Sequence, residues 1–201
     1  MTDHRRYDEA YFEHWYRREG FGSPARLERK ARYAVGAAEY LLDRPVRSVL
    51  DVGAGEGAWH GALRRLRPAA RYQGVDPSAY AVDRYGRARN LVRGALGDLD
   101  RLADAGVLRG PYDLIVCVDV LAYPDDGEVA SGLRSIAGLL GGVALLEVYT
   151  DQDLVVGDTG HYRLRPVTDY ERWSAAAGLE RVGPHLYVGH HLRPTLAAFE
   201  R

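Results

Sequence analysis

The chain has 201 residues, which is enough for one domain with a buried core but short for two. Lys and Arg total 27 against 28 Asp and Glu, so no overall basic charge attracts nucleic acid or an anionic membrane. The single cysteine, Cys117, excludes an internal disulfide and a zinc cluster of cysteines. The longest charge-free apolar stretch, residues 136–146, is shorter than the roughly 20 residues that span a bilayer. We therefore expect a soluble, cytoplasmic, single-domain protein.

The first 45 residues predict a helical segment in two pieces. Tyr7, Tyr11, Trp15 and Tyr16 recur at helical spacing, and Ser23-Pro24 is typical of the start of a second helix. After Pro45, short apolar runs alternate with amphipathic stretches. Strands are predicted at residues 48–52, 72–75, 91–96, 114–118 and 143–148. Helices are predicted at residues 58–66, 78–88, 99–105 and 128–140. Because the apolar runs leave no face for solvent, this alternation indicates a parallel sheet covered on both sides.

The C-terminal part has a different pattern. A helix is predicted near residues 168–177, followed by strands at 179–188 and 194–199. The five residues between these two strands are too few for a helical crossover, so we expect an antiparallel pair. The sequence thus predicts an α/β fold with a seven-stranded, mostly parallel sheet and an antiparallel C-terminal strand pair. Residues 150–166 are predicted to form one long polar loop, and such loops in compact domains are usually functional or disordered.

The strongest local motif is Val49-Leu50-Asp51-Val52-Gly53-Ala54-Gly55-Glu56-Gly57. A buried strand leads into alternate glycines, which allow close approach of a ligand, and the next helix offers free N–H groups. Gly53, Gly55 and Ala58 also satisfy the dinucleotide fingerprint, so these residues alone fit a nicotinamide nucleotide or a tight turn. Asp51 and Glu56 instead favour a ligand with positive charge over a pyrophosphate.

A second motif, Gly74-Val75-Asp76-Pro77, ends the next predicted strand at the same edge of the sheet. This position allows the Asp76 carboxylate to accept hydrogen bonds from both hydroxyls of a ribose. Dinucleotide-binding proteins share the spacing, so Asp76 indicates a nucleoside without identifying it.

Together with residues 97–99 and 112–121, these motifs resemble the class I S-adenosylmethionine-dependent methyltransferases over roughly residues 46–148. The resemblance implies a Rossmann-like three-layer sandwich and S-adenosyl-L-methionine as cofactor. It also implies one methyltransferase domain over residues 1–201, with a helical cap at 1–45 and a cofactor-binding core at 46–201. The cofactor-binding residues implied by the resemblance are Asp51, Gly53, Ala54, Gly55, Gly57, Asp76, Pro77, Gly97, Asp98, Leu99, Val118 and Asp119.

Candidate catalytic residues follow from the rule that ligands bind at the carboxyl ends of parallel strands. Many small-molecule members of the family have Leu-Glu-His where this chain has Leu121-Ala122-Tyr123, so Tyr123 is the nearest substitute for that histidine. His161 lies in the long loop, and the sixth strand, which we expect to run parallel, brings His191 to the same edge. We therefore predict His161, Tyr123 and His191 as catalytic, with solvated surface histidines as the alternative. Asp119, Asp125 and Asp126 lack the further ligands of a magnesium site, so we predict no metal.

The leading hypothesis is methylation of a small-molecule acceptor on oxygen, nitrogen or carbon. The alternatives are a noncatalytic subunit that binds S-adenosylmethionine and, less favoured, a nicotinamide-dependent oxidoreductase. We expect no nucleic-acid or membrane partner, and the sequence is compatible with a homodimer.

Overall fold

The computed structural model describes residues 7–19, 23–155 and 158–197. Seven strands form one sheet: β1 Ser48–Val52, β2 Arg71–Asp76, β3 Leu91–Arg93, β4 Tyr112–Val118, β5 Leu140–Glu147, β6 Leu179–Gly183 and β7 Leu186–Gly189. The α-helices are α1 Glu9–Phe12, α2 Pro24–Leu42, α3 Ala58–Leu66, α4 Ala79–Arg89, α5 Leu99–Asp104, α6 Asp126–Leu139, α7 Val167–Ala176 and α8 Arg193–Leu196. A π-helical segment, Glu13–Arg18, continues α1.

The strands lie in the order β3-β2-β1-β4-β5-β7-β6. The pairs among β1 to β5 are parallel, whereas β7 is antiparallel to both β5 and β6. The chain moves outward from β1 to β3 and then returns to place β4 beside β1. This reversal opens a crevice at the carboxyl ends of β1 and β4, which is where open α/β sheets bind ligands.

Two apolar clusters cover the sheet, one on each face. Successive residues of a strand point to opposite faces, so Val49 joins one cluster and Leu50 the other. Residues of α2 and α3 pack on the first face, and residues of α5, α6 and α7 pack on the second. This architecture confirms the predicted α/β, Rossmann-like three-layer fold with a seven-stranded sheet.

The C-terminal strand boundaries were predicted wrongly. Residues 179–188 do not form one strand, because Pro184 and His185 make the turn between β6 and β7. His185 has a left-handed φ of 57°. The predicted strand at 194–199 is also wrong in its described part, since Arg193–Leu196 is helical and Pro194 lies in its first turn. Residues 198 and 199 lie outside the described residues. An antiparallel C-terminal pair exists, but it is the hairpin of β6 and β7, which lies earlier in the chain than the predicted pair.

None of the helices in the described ranges combines the length and apolar character needed to cross a bilayer.

A buried carboxylate joins the start of the sheet to the end of α2. Asp113 of β4 accepts hydrogen bonds from Arg44 Nη1 and Nη2, at 2.8 and 2.7 Å, and from the backbone N–H of Arg47 at 2.7 Å. Burial opposes ionisation, but these hydrogen bonds prevail and lower the pKa of Asp113 below its ordinary value. Ionised Asp113 therefore contributes to stability.

We expect Asp113→Ala to destabilise the protein by about 1–3 kcal/mol, because the variant leaves the Arg47 N–H and the Arg44 guanidinium without their acceptor. For a chain of this size the melting temperature should fall by roughly 2–4 °C per kcal/mol. The difference from wild type should shrink as the pH falls through the lowered pKa, since protonation removes the same interaction. Thermal unfolding measured from pH 7 down to the most acidic pH at which the wild type still folds follows both effects, with exposed Asp104→Ala as the control. Equal melting temperatures for all three proteins at pH 7 would contradict this role.

Candidate functional site

A cavity of about 270 Å³ lies at the crevice between the carboxyl ends of β1 and β4. Its walls come from the glycine turn after β1, the end of β2, the turn after β3, the end of β4 and the residues that follow β5. The N-terminal segment closes another side. The cavity therefore lies where the strand order predicts a ligand.

The glycine turn has a backbone that only glycine adopts readily. Gly53, Gly55 and Gly57 have φ values of 75°, 53° and 82°, all in the left-handed region. At Gly53 a Cβ atom would lie 2.1 Å from Val120 Cγ2, so the turn also needs glycine for close packing against the residues after β4. Gly53 and Ala54 donate backbone hydrogen bonds to the Val75 carbonyl, which holds the turn against β2.

Asp76 is the buried carboxylate at the centre of this edge. Its Oδ2 accepts a hydrogen bond of 2.6 Å from Gly55 N, and its Oδ1 accepts one of 2.9 Å from Ser78 N. Burial raises the pKa of Asp76 to about 6, and the two backbone hydrogen bonds oppose the rise. Each oxygen of the Asp76 carboxylate can accept a further hydrogen bond, and Asp76 lines the cavity.

Seven of the residues that the sequence predicts to bind cofactor line this cavity. They are Gly53, Ala54, Gly55, Asp76, Pro77, Val118 and Asp119.

The other five predicted residues lie behind the cavity wall. Asp51 accepts a 2.6 Å hydrogen bond from the Tyr72 hydroxyl, and burial raises its pKa to about 7. Gly57 is the N-cap of α3. Gly97, Asp98 and Leu99 belong to the turn at the start of α5, where Asp98 forms an ion pair with Arg101. The preceding residues, 94–96, line the cavity instead.

The N-terminal helical segment covers the cavity with aromatic side chains. Tyr7, Tyr11, Phe12, Trp15 and Tyr16 all line it. The helical spacing of the tyrosines and Trp15 in the sequence therefore indicates the residues that form this side of the cavity.

Ion pairing holds the N-terminal segment against the glycine turn. Arg17 donates a 2.8 Å hydrogen bond to Glu56, whose carboxylate does not line the cavity. Arg89 also contacts the Glu56 carbonyl. Glu56 thus connects the segment to the turn rather than facing a ligand, which sequence reasoning did not anticipate.

One corner of the cavity carries both signs of charge. Asp119, with a left-handed φ of 59°, follows β4, and Lys30 and Arg26 approach from α2. Lys30 forms a 2.7 Å ion pair with Glu147 at the end of β5. Burial raises the pKa of Asp119 to about 6, with Lys30 and Arg26 lowering it and Glu147 raising it. Sequence reasoning missed Lys30 and Arg26, although Lys30 is the only lysine in the chain.

The three predicted catalytic residues are not brought together. Tyr123 lines the cavity, but His161 does not; its half-exposed ring contacts Asp158, with 2.9 Å between Nδ1 and Oδ1. Asp158 itself lines the cavity. His191 lies after β7, which is antiparallel, so it is at the opposite edge of the sheet, where Nε2 is 3.1 Å from the Gly141 carbonyl. The parallel direction assumed for the strand before His191 was wrong.

Asp125 and Asp126 have structural partners at the start of α6. Asp125 is the N-cap and accepts a hydrogen bond from Glu128 N, and Asp126 pairs with Arg165. These contacts explain both carboxylates without a metal ion.

The geometry can be compared with known proteins. A family model described as a methyltransferase domain matches residues 25–193. The chain belongs to this methyltransferase family. Its cofactor is S-adenosyl-L-methionine, as the sequence resemblance implied. No curated protein matches the chain.

Solved methyltransferases share the fold at low sequence identity. DesVI from Streptomyces venezuelae has a TM-score of 0.66 and 16% identity, covering 94% of this chain and 99% of its own. Magnesium protoporphyrin IX methyltransferase from Synechocystis PCC 6803, with bound S-adenosylhomocysteine, has a TM-score of 0.59 and 17% identity, covering 92% and 94%. The plantazolicin methyltransferase BamL, also with S-adenosylhomocysteine, has a TM-score of 0.67 and 14% identity, covering 88% and 76%.

The residues around the cavity fit this cofactor. The Asp76 carboxylate suits two ribose hydroxyls, and the corner of Asp119, Lys30 and Arg26 suits the zwitterionic amino-acid end.

We expect Asp76→Ala to weaken binding of S-adenosylhomocysteine by at least tenfold. Hydrogen bonds to a charged group contribute about 1.5–3 kcal/mol each, and tenfold in affinity corresponds to about 1.4 kcal/mol. Affinity for wild type should also fall as the pH drops below about 6, because protonated Asp76 is a weaker acceptor. Titration calorimetry between pH 5 and 8 measures both effects. The variant Asp119→Asn distinguishes the effects of Asp76 and Asp119 on binding. The fall in affinity at low pH should persist in this variant if Asp76 causes it. Unchanged affinity in Asp76→Ala, with an unchanged melting temperature, would remove Asp76 from the site.

Gly55→Val should abolish detectable binding of S-adenosylhomocysteine while the protein still folds. A Cβ at Gly55 would lie 3.4 Å from Phe12 Cε1 and 3.5 Å from the Tyr16 hydroxyl, at the cavity wall. Gly106→Val is a matched control, because Gly106 also has a left-handed φ, of 70°, but no atom near its Cβ position. Both variants should lose about 1–2 kcal/mol of stability from backbone strain. Equal cofactor affinity in the two variants would show that Gly55 serves the turn alone.

Proposed function

We propose that this methyltransferase transfers the methyl group of S-adenosylmethionine to a small-molecule acceptor. The observation that carries the proposal is the closure of the cavity on several sides, by the N-terminal aromatic residues, the glycine turn and Asp158 with Tyr162. An acceptor that enters such a space must be small or present a narrow end. Two of the structurally similar methyltransferases are named for a porphyrin and for plantazolicin. Their names are consistent with the proposal of a small-molecule acceptor for this protein.

S-adenosylmethionine supplies a methyl group that is already activated by the sulfonium charge. The protein therefore needs to hold the donor and the acceptor in line and to exclude water, and positioning accounts for much of the acceleration. In this proposal Asp76 orients the ribose, and Asp119 with Lys30 and Arg26 orients the amino-acid end. The apolar residues 94–96 lie beside the adenine.

Tyr123 and Asp158 are the side chains that we place next to the acceptor. Burial raises the pKa of Tyr123 well above its ordinary value, so its hydroxyl stays protonated and can orient an acceptor but cannot act as a base near neutral pH. Asp158 is the carboxylate at this end of the cavity, and its contact with the half-exposed His161 provides a route for a proton to solvent. His161 is then a positioning and relay residue that acts through Asp158.

The direct test is to incubate the protein with S-adenosylmethionine and a library of small acceptors and to measure S-adenosylhomocysteine by mass spectrometry. Turnover dependent on one acceptor class supports the proposal. Binding of S-adenosylhomocysteine without turnover on any small molecule, together with methylation of a protein or nucleic acid, would overturn it.

We expect His161→Ala to lower kcat by at least tenfold with cofactor affinity unchanged, because a proton-transfer partner typically contributes 10²- to 10⁴-fold and here the action is indirect. The pH dependence of kcat should change as well, which a merely structural role would not cause. His161→Gln should restore the contact with Asp158 but not the pH dependence. His191→Ala serves as the control, since it lies at the opposite edge of the sheet. Equal kcat for His161→Ala and His191→Ala would contradict this role.

A further inference from the structure

Five tyrosine rings surround one end of the cavity. We call them the tyrosine cage: Tyr7, Tyr11, Tyr123, Tyr149 and Tyr162. They come from the N-terminal segment, the residues after β4, the residues after β5 and the turn near residue 162. Ring centroids are 5.2 Å apart for Tyr7–Tyr11, 6.1 Å for Tyr7–Tyr123, 4.9 Å for Tyr123–Tyr162 and 5.8 Å for Tyr149–Tyr162.

Three of these four ring pairs meet at steep angles, and the fourth, Tyr149–Tyr162, is stacked with an interplanar angle of 27°. The interplanar angle is 87° for Tyr7–Tyr11, 89° for Tyr7–Tyr123 and 73° for Tyr123–Tyr162. Rings set at right angles present faces and edges on several sides of the same space. Aromatic faces within about 6 Å attract a cation, and several rings together bind alkylated ammonium groups.

The hydroxyl groups of the cage carry no charge near neutral pH. Burial raises the pKa of Tyr11 to about 12 and raises those of Tyr123 and Tyr162. Tyr123 shares hydrogen bonds with both Tyr11 and Tyr162, which fixes the three rings relative to each other. The cage is therefore a neutral surface with oxygen acceptors and aromatic faces.

The formal charge at this end of the cavity is negative. The Asp158 side chain is 13% exposed, lies beside the cage and has His161 as its ion-pair partner within the described chain. The two cations that line the cavity, Lys30 and Arg26, lie near Asp119, and Arg26 also acts on Tyr149 of the cage. Asp119 and Glu147 act on Tyr149 as well and offset that positive charge. A carboxylate or phosphate on the acceptor would meet repulsion from Asp158, whereas an ammonium group would meet attraction.

We propose that the acceptor is an amine, which binds in its ammonium form within the tyrosine cage beside Asp158. This inference rests on the proposed function and specifies its acceptor atom as nitrogen. Asp158 takes a proton from the ammonium group and passes it through His161 to solvent, which frees the nitrogen lone pair. The lone pair forms the new N–C bond to the methyl carbon while the C–S bond breaks, and its electron pair stays on sulfur. The products are the methylated amine, as an ammonium, and S-adenosylhomocysteine.

The sharpest probe is a pair of small molecules with the same shape and different charge. Choline has a positively charged nitrogen bonded to three methyl groups, and 3,3-dimethylbutan-1-ol has a neutral carbon at the same place. Choline also resembles a fully methylated amine product. We would measure their binding by calorimetry and by tyrosine-ring NMR shifts, using full-length protein saturated with S-adenosylhomocysteine. Choline should bind at least tenfold more tightly than the neutral alcohol.

Variants test which residues cause the preference. Asp158→Asn and Tyr162→Leu should each reduce the preference for choline at least fivefold, whereas Tyr162→Phe, which keeps the ring, should retain most of it. Tyr40→Leu is the matched control, since Tyr40 is 70% exposed on α2 and does not line the cavity. Melting temperature and affinity for S-adenosylhomocysteine, measured for every variant, identify any that fail to fold.

The outcomes separate this inference from the proposed function. If S-adenosylhomocysteine binds but choline binds no better than the neutral alcohol, or not at all, the amine proposal is overturned and methyl transfer to another small molecule stands. A preference for choline that survives in Asp158→Asn and Tyr162→Leu also overturns it, because the cage would not be its cause. Turnover on macromolecules alone overturns the proposed function itself.

Discussion

The site depends on one buried carboxylate that joins two turns. Asp76 accepts a backbone hydrogen bond from Gly55 in the turn after β1 and another from Ser78 in the turn before α4. Leaving these N–H groups buried without an acceptor would cost free energy, so the two turns keep a fixed separation. The same carboxylate lines the cavity, so the group that we predict to bind the ribose also maintains the shape of the glycine turn. Burial raises its pKa to about 6, and protonation near that pH would weaken its hydrogen bonds to both turns.

The rest of the cavity divides into two regions of different chemistry. Near Asp119, acidic and basic side chains lie together, which suits a ligand end that carries both charges. At the other end lie the neutral tyrosines of the cage and Asp158, with Arg26 near Tyr149. Under the proposed function, the region of mixed charge holds the donor, and the aromatic faces with a carboxylate hold the acceptor.

Sequence periodicity predicted the central part of the fold well because each signal is local. The runs at β1, β4 and β5 are mostly apolar since both faces of those strands are buried, and the glycine turn is recognisable since it needs left-handed backbone at alternate positions. Prediction was weakest at the C-terminus. There the pairing of β7 with β5 and β6 depends on a turn at Pro184 and His185 that interrupts an apparently continuous run.

The sequence by itself determined the three-layer α/β fold, the glycine turn and the position of Asp76, because these follow from periodicity and from backbone conformations that few residues adopt. Only the tertiary structure decided which side chains meet in the cavity. Lys30 and Glu147 are far apart in the chain yet form an ion pair, and His191 is excluded because the direction of β7 places it at the opposite edge. Side-chain proximity between distant segments arises from strand order and helix packing, which local patterns do not encode.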